Sequence, residues 1–277
     1  MKATVIIDNQ VPVNAKRPFR AEHGQALLLE TKGRLILFDA GQSELVIHNL
    51  SLLGVRPADL DAIVISHGHY DHTGGLSAIL THARKRLPVY IHPQAFVPRF
   101  SESETRRFIG IPFSQELLVQ LGADFQLVTE PLALDDDLWL SGPIPRESGF
   151  EQTPSSFIRI AEQGCACHDS VIDDMSLYVK TAAGLVVISG CAHAGIINTI
   201  MHGLSVTDSL RLYGIIGGTH LGPAPLAQQE ETLRQLADFS PTFIAANHCT
   251  GFAMLSRLAN QFGEKFTPAF VGTQLEF

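Results

Sequence analysis

Short runs of apolar and β-branched residues, separated by turn residues, recur along the chain and are typical of β-strands. Two pairs of runs are joined by turns that contain Gly33 or Gly184, and each pair predicts a hairpin. The predicted strands are residues 4–8, 26–30, 35–38, 62–65, 89–92, 177–181, 185–189, 212–216 and 243–246.

Helical spacing of apolar positions occupies most of the intervals between these strands. The predicted helices are residues 43–54, 75–86, 114–121, a helix from about residue 194, 225–239, and 250 to about 263. Because strands and helices alternate, the pattern predicts an α/β fold.

No linker or low-complexity tract divides the chain, so we expect a single domain over residues 1–277. The periodic pattern weakens between residues 93 and 157, where prolines are frequent and 114–121 is the clearest helix. We predict that this segment is an insertion or a lid.

The composition excludes several classes of protein. With 277 residues, 45% of them hydrophobic and 17% charged, the chain can bury a sizeable core and is not generally disordered. Its 20 Lys and Arg against 28 Asp and Glu leave a net charge of −8, which disfavours a nucleic-acid partner. His193 and Asn198 interrupt the most apolar region, so no membrane span is predicted.

The N-terminus and the cysteines bear on the compartment. Asp8 comes too early for a secretory signal, and four cysteines in a chain of this length do not make a disulfide framework. We therefore expect a cytoplasmic protein.

Four predicted strands lead directly into ligand-type side chains and then into a helix start. These side chains are His67, the pair Cys191 and His193, His220 and His248. In layered α/β folds, ligands gather where strands end and loops turn into helices. The pattern thus predicts that these residues line a functional site.

The densest group is the segment Ser-His-Gly-His-Tyr-Asp-His-Thr-Gly-Gly at residues 66–75. In extended backbone His67 and His69 point to the same side and could bind one cation, while Asp71 and His72 could face a second. Burying so many polar groups without partners is costly. Imidazoles and a carboxylate at this density indicate a zinc or iron site.

This segment, read as His-x-His-x-Asp-His, resembles the signature of the metallo-β-lactamase superfamily. The resemblance implies a four-layer αββα sandwich with a dinuclear site that holds two divalent metal ions, most commonly zinc, with manganese or iron as alternatives. It implies metal ligands at His67, His69, Asp71, His72 and His248. It also places Asp39, at the end of the strand 35–38, as a carboxylate that supports a ligand.

Five segments, one of which contains this signature, resemble one subgroup, the dihydropterin-ribofuranosyl-aminobenzene-phosphate synthase-like proteins: residues 22–24, 66–76, 144–146, 189–195 and 248–251. The subgroup implies pterin-phosphate chemistry. On its motifs, Glu22 and His23 are candidates for the rim of the substrate pocket.

The chain departs from the superfamily pattern at two places. The histidine expected before residue 177 is missing, and the expected bridging aspartate is replaced by Cys191. We predict that His193 supplies the missing nitrogen ligand. Cys191 is either a thiolate ligand or a small buried thiol.

Other side chains are candidates for contact with the substrate. Arg146 and Arg99 carry guanidinium groups that suit a phosphate or a carboxylate, although Arg99 could equally lie on a solvated surface. His220 could contact substrate or cap the following helix. Cys249 is expected to face the core, away from His248.

These observations favour a metal-dependent hydrolase or transferase acting on an ester, phosphoester or pterin-phosphate small molecule. Two close cations lower the pKa of a shared water, and Asp71 is the predicted catalytic residue that orients it or relays its proton. The alternatives are an iron-dependent oxidoreductase on the same fold and a non-catalytic ligand-binding protein. The expected partner is an anionic small molecule, with no nucleic acid or membrane, and a homo-oligomer is left open.

Overall fold

The computed structural model describes residues 1–161 and 164–277. Strands and helices are interspersed along these residues. The strands are β1 (Lys2–Ile7), β2 (Ala26–Thr31), β3 (Arg34–Phe38), β4 (Ala62–Val64), β5 (Leu87–Ile91), β6 (Arg99–Glu102), β7 (Arg106–Phe108), β8 (Ala123–Leu127), β9 (Leu132–Ala133), β10 (Leu138–Leu140), β11 (Phe157–Ile160), β12 (Ala166–His168), β13 (Ser176–Thr181), β14 (Gly184–Ser189), β15 (Leu212–Gly218), β16 (Phe243–Asn247), β17 (Phe266–Pro268) and β18 (Gln274–Glu276). The helices are α1 (Leu45–Leu52), α2 (Tyr70–Thr73), α3 (Leu76–Ala83), α4 (Gln115–Gln120), α5 (Ile196–Val206), α6 (Leu226–Phe239) and α7 (Phe252–Phe262).

Every strand and helix predicted from the hydrophobic pattern is present, with small differences at the ends. Both predicted hairpins are confirmed, since β2 pairs antiparallel with β3 and β13 with β14. In the first hairpin Lys32 and Gly33 have φ values of 48° and 79°. Two successive residues with positive φ match the twist of the paired strands, which explains a glycine there.

The chain divides into two compact units. The first unit comprises Met1–Val128, Arg159–Ala166 and Phe270–Phe277 and contains a seven-stranded sheet in the order β18-β1-β2-β3-β4-β5-β8. The strands β3, β4, β5 and β8 run parallel. A buried core joins this sheet to apolar residues of α1, α3 and α4, such as Leu50, Leu80 and Leu118.

The second unit comprises Thr129–Ile158 and Cys167–Ala269. Its seven-stranded sheet has the order β17-β16-β15-β14-β13-β10-β9, and β14 to β17 run parallel. The inner strands β4, β14, β15 and β16 are buried almost throughout, as expected for strands covered on two faces. Their carboxyl ends carry the candidate residues.

The proline-rich segment 93–157 contributes strands to both sheets. β8 completes the sheet of the first unit, and β9 and β10 belong to the sheet of the second, while β6 and β7 form an antiparallel hairpin. The prolines of this segment interrupt the periodicity without ending the sheets, because none of them lies within β8, β9 or β10. A lid role for this segment and the single-domain organisation stay predictions. Of the described helices, none is both long and apolar enough to cross a membrane.

Candidate metal centre

The centre begins where two adjacent parallel strands of the first unit end. Asp39 follows β3 and Ser66 and His67 follow β4. The Asp39 amide donates to the carbonyl of Val64 at 2.8 Å, and Asp39 adopts a left-handed backbone with φ 63°. Left-handed conformations of residues other than glycine are strained and cluster at functional sites. Here the conformation turns the Asp39 carboxylate towards the chain beyond β4.

The Asp39 carboxylate is fully buried and accepts hydrogen bonds on both oxygens. Oδ1 accepts the Ser66 amide at 2.8 Å, and Oδ2 accepts the Ser66 hydroxyl at 2.8 Å and His72 Nδ1 at 2.7 Å. Because the only hydroxyl proton of Ser66 is used on Asp39, Ser66 Oγ accepts from His67 Nδ1, which lies 2.9 Å away. Both imidazoles are thus protonated on Nδ1, and their Nε2 atoms carry lone pairs.

Three imidazoles of the first unit converge on one point. His67 Nε2 lies 3.0 Å from His69 Nδ1, and the ring centroids of His67 and His72 are 4.3 Å apart. All three rings are buried. Burial, reinforced by the charges that His72 and His69 could carry, holds the pKa of His67 well below its usual 6.5. His67 is therefore neutral, the form that ligates metals.

Asp71 brings a carboxylate to the same cluster. It is buried in the short helix α2, and its Oδ2 lies 4.0 Å from His72 Nε2. The same oxygen is 3.1 Å from Nε2 of His23, whose side chain is about half exposed. Gly24 lets the His23 loop approach this closely, since a Cβ at Gly24 would lie 2.4 Å from the Asp71 carbonyl oxygen. His23 thus lies on the solvent side of Asp71.

These donors fit a divalent metal ion. Neutral imidazoles with fixed tautomers and an adjacent carboxylate are the ligands that zinc takes in catalytic sites, and manganese and iron accept the same set. The second carboxylate, Asp39, holds His72 in the way that ligating histidines are commonly held.

The second unit places its candidates at the carboxyl ends of β14, β15 and β16, which are neighbours in its sheet. In the loop that follows each of these strands, one residue has a left-handed backbone: Ala192 (φ 54°), His220 (φ 49°) and His248 (φ 50°). Cys191 and His193 flank Ala192 and both are buried. The neighbouring carboxyl ends bring the four candidates to one edge of this sheet.

Cys249 was predicted to face the core away from His248, and that prediction is wrong. A ligand atom of each of Cys191, His248 and Cys249 lies within 4.8 Å of the other two. His248–Thr250 forms a single 3₁₀ turn, in which consecutive side chains are about 120° apart, whereas an extended strand would place them on opposite faces. The Cys249 sulfur also accepts the backbone N–H of His220 at 3.2 Å.

Phe157, which the sequence did not single out, lies beside the rings of His193 and His220. The rings of His193 and His220 have centroids 4.3 Å apart, and Phe157 meets them edge-on at 5.6 and 5.8 Å. Phe157 ended a segment predicted to be an insertion, and one apolar residue there carries no sequence signal of function. His220 therefore packs against a predicted ligand.

Arg146 supports the backbone around His193. Its guanidinium donates to the carbonyl oxygen of His193 at 2.9 Å and to that of Ser170. Asp174 accepts the neighbouring Ala194 amide at 2.8 Å, and burial raises the pKa of Asp174 to about 7. Substrate contact by Arg146 stays a prediction, and the contacts seen here hold the turn after β14.

Two other candidates have partners of their own. The Glu22 carboxylate accepts the amides of Gln42 and Ser43, each at 3.2 Å, and the Ser43 hydroxyl, just before α1. Arg99 is 1% exposed and donates to the carbonyl of Gln94 at 3.2 Å, so the solvated alternative for Arg99 is wrong. Arg99 is the first residue of β6 and its side chain is buried.

Comparisons with known proteins agree with this geometry. A sequence profile described as the metallo-β-lactamase superfamily matches residues 20–157. The chain is 30% identical over 269 residues to the 7,8-dihydropterin-6-methyl-4-(β-D-ribofuranosyl)-aminobenzene-5′-phosphate synthase of Methanocaldococcus jannaschii, covering 94% of this chain and 92% of that protein. It is also 32% identical to an uncharacterised protein of the same organism, with 92% and 93% of the two chains covered.

A solved structure extends the likeness to three dimensions. It is described as a metal-dependent hydrolase of the β-lactamase superfamily and is 26% identical in sequence. The TM-score is 0.85, with 100% of this chain and 99% of the other covered.

Proposed function

Because the chain belongs to the metallo-β-lactamase superfamily, we propose that it is a metal-dependent hydrolase or transferase that acts on a small ester, phosphoester or pterin phosphate. The observation that carries the proposal is the buried group of His67, His69, His72 and Asp71, in which Asp39 and Ser66 fix the tautomers of two rings. Such a group has no use for packing alone, because its polar atoms would be costly to bury.

The residues of the first unit have separate roles in this proposal. His67, His69, His72 and Asp71 would hold divalent metal, with zinc the expected ion. When bound, two such ions would supply Lewis acidity and hydroxide at neutral pH. Asp39 accepts a hydrogen bond from the Nδ1–H of His72, which leaves Nε2 as the nitrogen that can bind metal. The hydrogen-bonding distance between Asp71 and His23 suits Asp71 to orient the nucleophile and pass its proton outward.

In the second unit, His248 is the ligand that the resemblance in sequence implies, and His193 is the predicted replacement for the missing nitrogen ligand. Cys191 is either a thiolate ligand or a small buried thiol. For His193 the supporting observation is its buried side chain on a turn that Arg146 and Asp174 hold in place. We expect His193→Ala to remove about one metal equivalent, measured by plasma emission.

The substrate class is proposed from the relative in Methanocaldococcus jannaschii, whose name describes a synthase that makes a dihydropterin joined to a ribofuranosyl-aminobenzene phosphate. Its 30% identity extends over 94% of this chain, which supports a related pterin or phosphate ester here. The exposed His23 would contact that substrate, and substrate contact by His220 stays a prediction.

The test uses zinc-loaded protein and a panel of phosphodiesters, lactones and thioesters. We expect turnover that is lost in His69→Ala together with bound metal. His82→Ala is the matched control, since His82 lies exposed on α3 and bonds only its own helix in the contact seen here. Equal turnover in both variants, or a wild type that binds no metal, would overturn the proposal. An iron absorption band in freshly purified protein would support the iron oxidoreductase instead.

A further inference from the structure

The hairpin of β6 and β7 has two faces with different contents. In its register Phe100 pairs with Phe108, Ser101 with Arg107, and Glu102 with Arg106. Side chains alternate between the faces of a strand, so the pairs Phe100–Phe108 and Glu102–Arg106 share one face, and Ser101 and Arg107 share the other.

The aromatic and charged side chains of the first face contact one another. Phe100 and Phe108 meet edge-on with centroids 5.5 Å apart, and the Arg106 guanidinium lies 4.4 Å from the Phe100 centroid. Arg106 also pairs with Glu102 at 3.3 Å. The charge of Arg106 is therefore balanced within the hairpin.

The second face turns Arg107 towards the His-x-His-x-Asp-His segment. The Arg107 guanidinium lies 5.9 Å from the ring centroid of Tyr70. The backbone fixes this approach, since the Tyr70 amide donates to the Ile109 carbonyl at 3.0 Å, and the Ile109 amide donates to Arg99 at 2.8 Å. Arg107 is thus held over the segment that carries the metal ligands.

Tyr70 is flanked in sequence by two of those ligands, His69 and Asp71. Its ring centroid is 6.3 Å from that of His23, whose Nε2 is 3.1 Å from Asp71. A phenol hydroxyl, an exposed guanidinium and an exposed imidazole therefore lie together beside the cluster. All of them belong to the first unit.

The arginines that the sequence suggested for an anion are otherwise engaged. Arg99 is buried and donates to the Gln94 carbonyl, and Arg146 donates to two backbone carbonyls in the second unit. Arg107 differs from both because it is exposed and stands over a side chain of the signature segment. A dianion could reach it without burying an unpaired charge.

We propose that Arg107 and Tyr70 form the binding site for the phosphate group of a phosphate monoester substrate. This inference rests on the proposed function, of which it specifies the substrate class. The guanidinium offers a fork of N–H donors that matches two phosphate oxygens, and the phenol hydroxyl donates to a third. Both residues are binding residues, and the bond that reacts is left to the metal ligands.

The probe is phenyl phosphate, titrated calorimetrically into the full chain in zinc-loaded and metal-free form. We expect Arg107→Gln to raise the Kd of the zinc-loaded protein about tenfold or more, and Tyr70→Phe to raise it about fivefold, since each loses a hydrogen bond to a charged group. Arg107→Lys should recover part of the loss, because it keeps the charge and loses the fork.

Arg106→Gln is the matched control, since it removes the same charge from the next residue on the opposite face. It should change Kd by less than about twofold. Equal effects of Arg106→Gln and Arg107→Gln, no effect of Arg107→Gln, or no binding of phenyl phosphate by the wild type would each overturn the inference. Unchanged unfolding temperatures would show that all variants fold.

The two proposals fail separately. If the protein bound no metal or had no turnover, the proposed function would fail, while a larger loss in Arg107→Gln than in Arg106→Gln in metal-free protein would still support the phosphate site. If metal and turnover were found but the two arginine variants behaved alike, only the phosphate site would fail.

Discussion

Asp39 is the residue on which the order of the histidine cluster depends. Its two oxygens accept three hydrogen bonds, and these fix which nitrogen of His67 and of His72 carries a proton. These hydrogen bonds also decide whether the two imidazoles can bind metal, because a rotated or wrongly protonated imidazole offers no lone pair to a metal.

We expect Asp39→Asn to weaken zinc binding about 10- to 100-fold, since the amide group has one acceptor oxygen and its NH₂ would oppose a donor. The measurement is competition against a chromogenic chelator. Asp124→Asn is the control, because Asp124 lies on β8 and pairs with the exposed Arg86 at 3.0 Å. Wild-type affinity in Asp39→Asn would contradict the role given to Asp39.

Asp174 makes stability depend on pH. Burial raises its pKa from 3.8 to about 7, so between these values the native protein holds a proton that the unfolded chain has released. Stability therefore falls as pH rises through this window and levels off above it.

The size of the effect, about 4 kcal/mol at most, follows from that raised pKa. Urea denaturation with chelator present should show Asp174→Asn losing less stability than wild type between about pH 4 and pH 7. Parallel pH profiles of the two proteins would show that the Asp174 carboxyl is not perturbed.

At the level of elements, the start of α5 is held by a buried acid. Glu151 Oε1 accepts the Ile197 amide and Oε2 the Asn198 amide, each at 2.9 Å. These are amides of the first helical turn, where the helix has no partners of its own and where negative charge is favourable. Because α5 follows His193, this acid also limits the movement of that turn.

Glu151→Ala should cost about 3 kcal/mol in the free energy of unfolding, since two buried amides lose their acceptors. Glu147→Ala is the control, because Glu147 uses its backbone amide, and not its side chain, in the bond to Asn198 at 2.8 Å. Urea denaturation measures both. A loss of less than about 1 kcal/mol in Glu151→Ala would show that water replaces the carboxylate.

The loop after β4 requires a close approach at Gly68. A Cβ at this residue would lie 2.0 Å from the carbonyl oxygen of Ala95, which is backbone and cannot rotate away. Close packing against the turn after β5 therefore requires a glycine between His67 and His69.

Gly68→Ala should destabilise the protein by about 3 kcal/mol and reduce zinc binding with it, because the loop must shift. Gly33→Ala is the comparison: a Cβ there meets nothing within 4 Å, so only its positive φ is strained, at a cost of about 1 kcal/mol. Similar losses in the two variants, measured by denaturation, would argue against the steric constraint.

At the level of the whole molecule, the family and the metallo-β-lactamase fold predicted from the sequence are confirmed by the relatives and by the solved structure with a TM-score of 0.85. A molecule whose buried histidines bind metal should also be stabilised by it, since metal binds the native state in preference to the unfolded chain.

Zinc at about 1,000 times its Kd should add about 4 kcal/mol to the free energy of unfolding, and chelator should remove this gain. Differential scanning fluorimetry with and without zinc measures the effect as a shift in Tm. His69→Ala should lose most of the shift, and His82→Ala should keep it. A zinc-independent Tm in the wild type would contradict a metal centre at this cluster.

The sequence alone determined the alternation of strands and helices, because periodicity is a local property. It also determined the densest group of candidate donors, because four of them lie within six consecutive residues, 67–72. Only the tertiary structure revealed that Asp39 reaches Ser66 and His72, and that Arg107 meets Tyr70 while Arg99 is buried. The same was true of Cys249 turning towards His248 and of the strands β8 to β10 in the proline-rich segment. Those outcomes depend on which distant strand ends become neighbours and on single backbone angles, which local patterns of apolar residues do not encode.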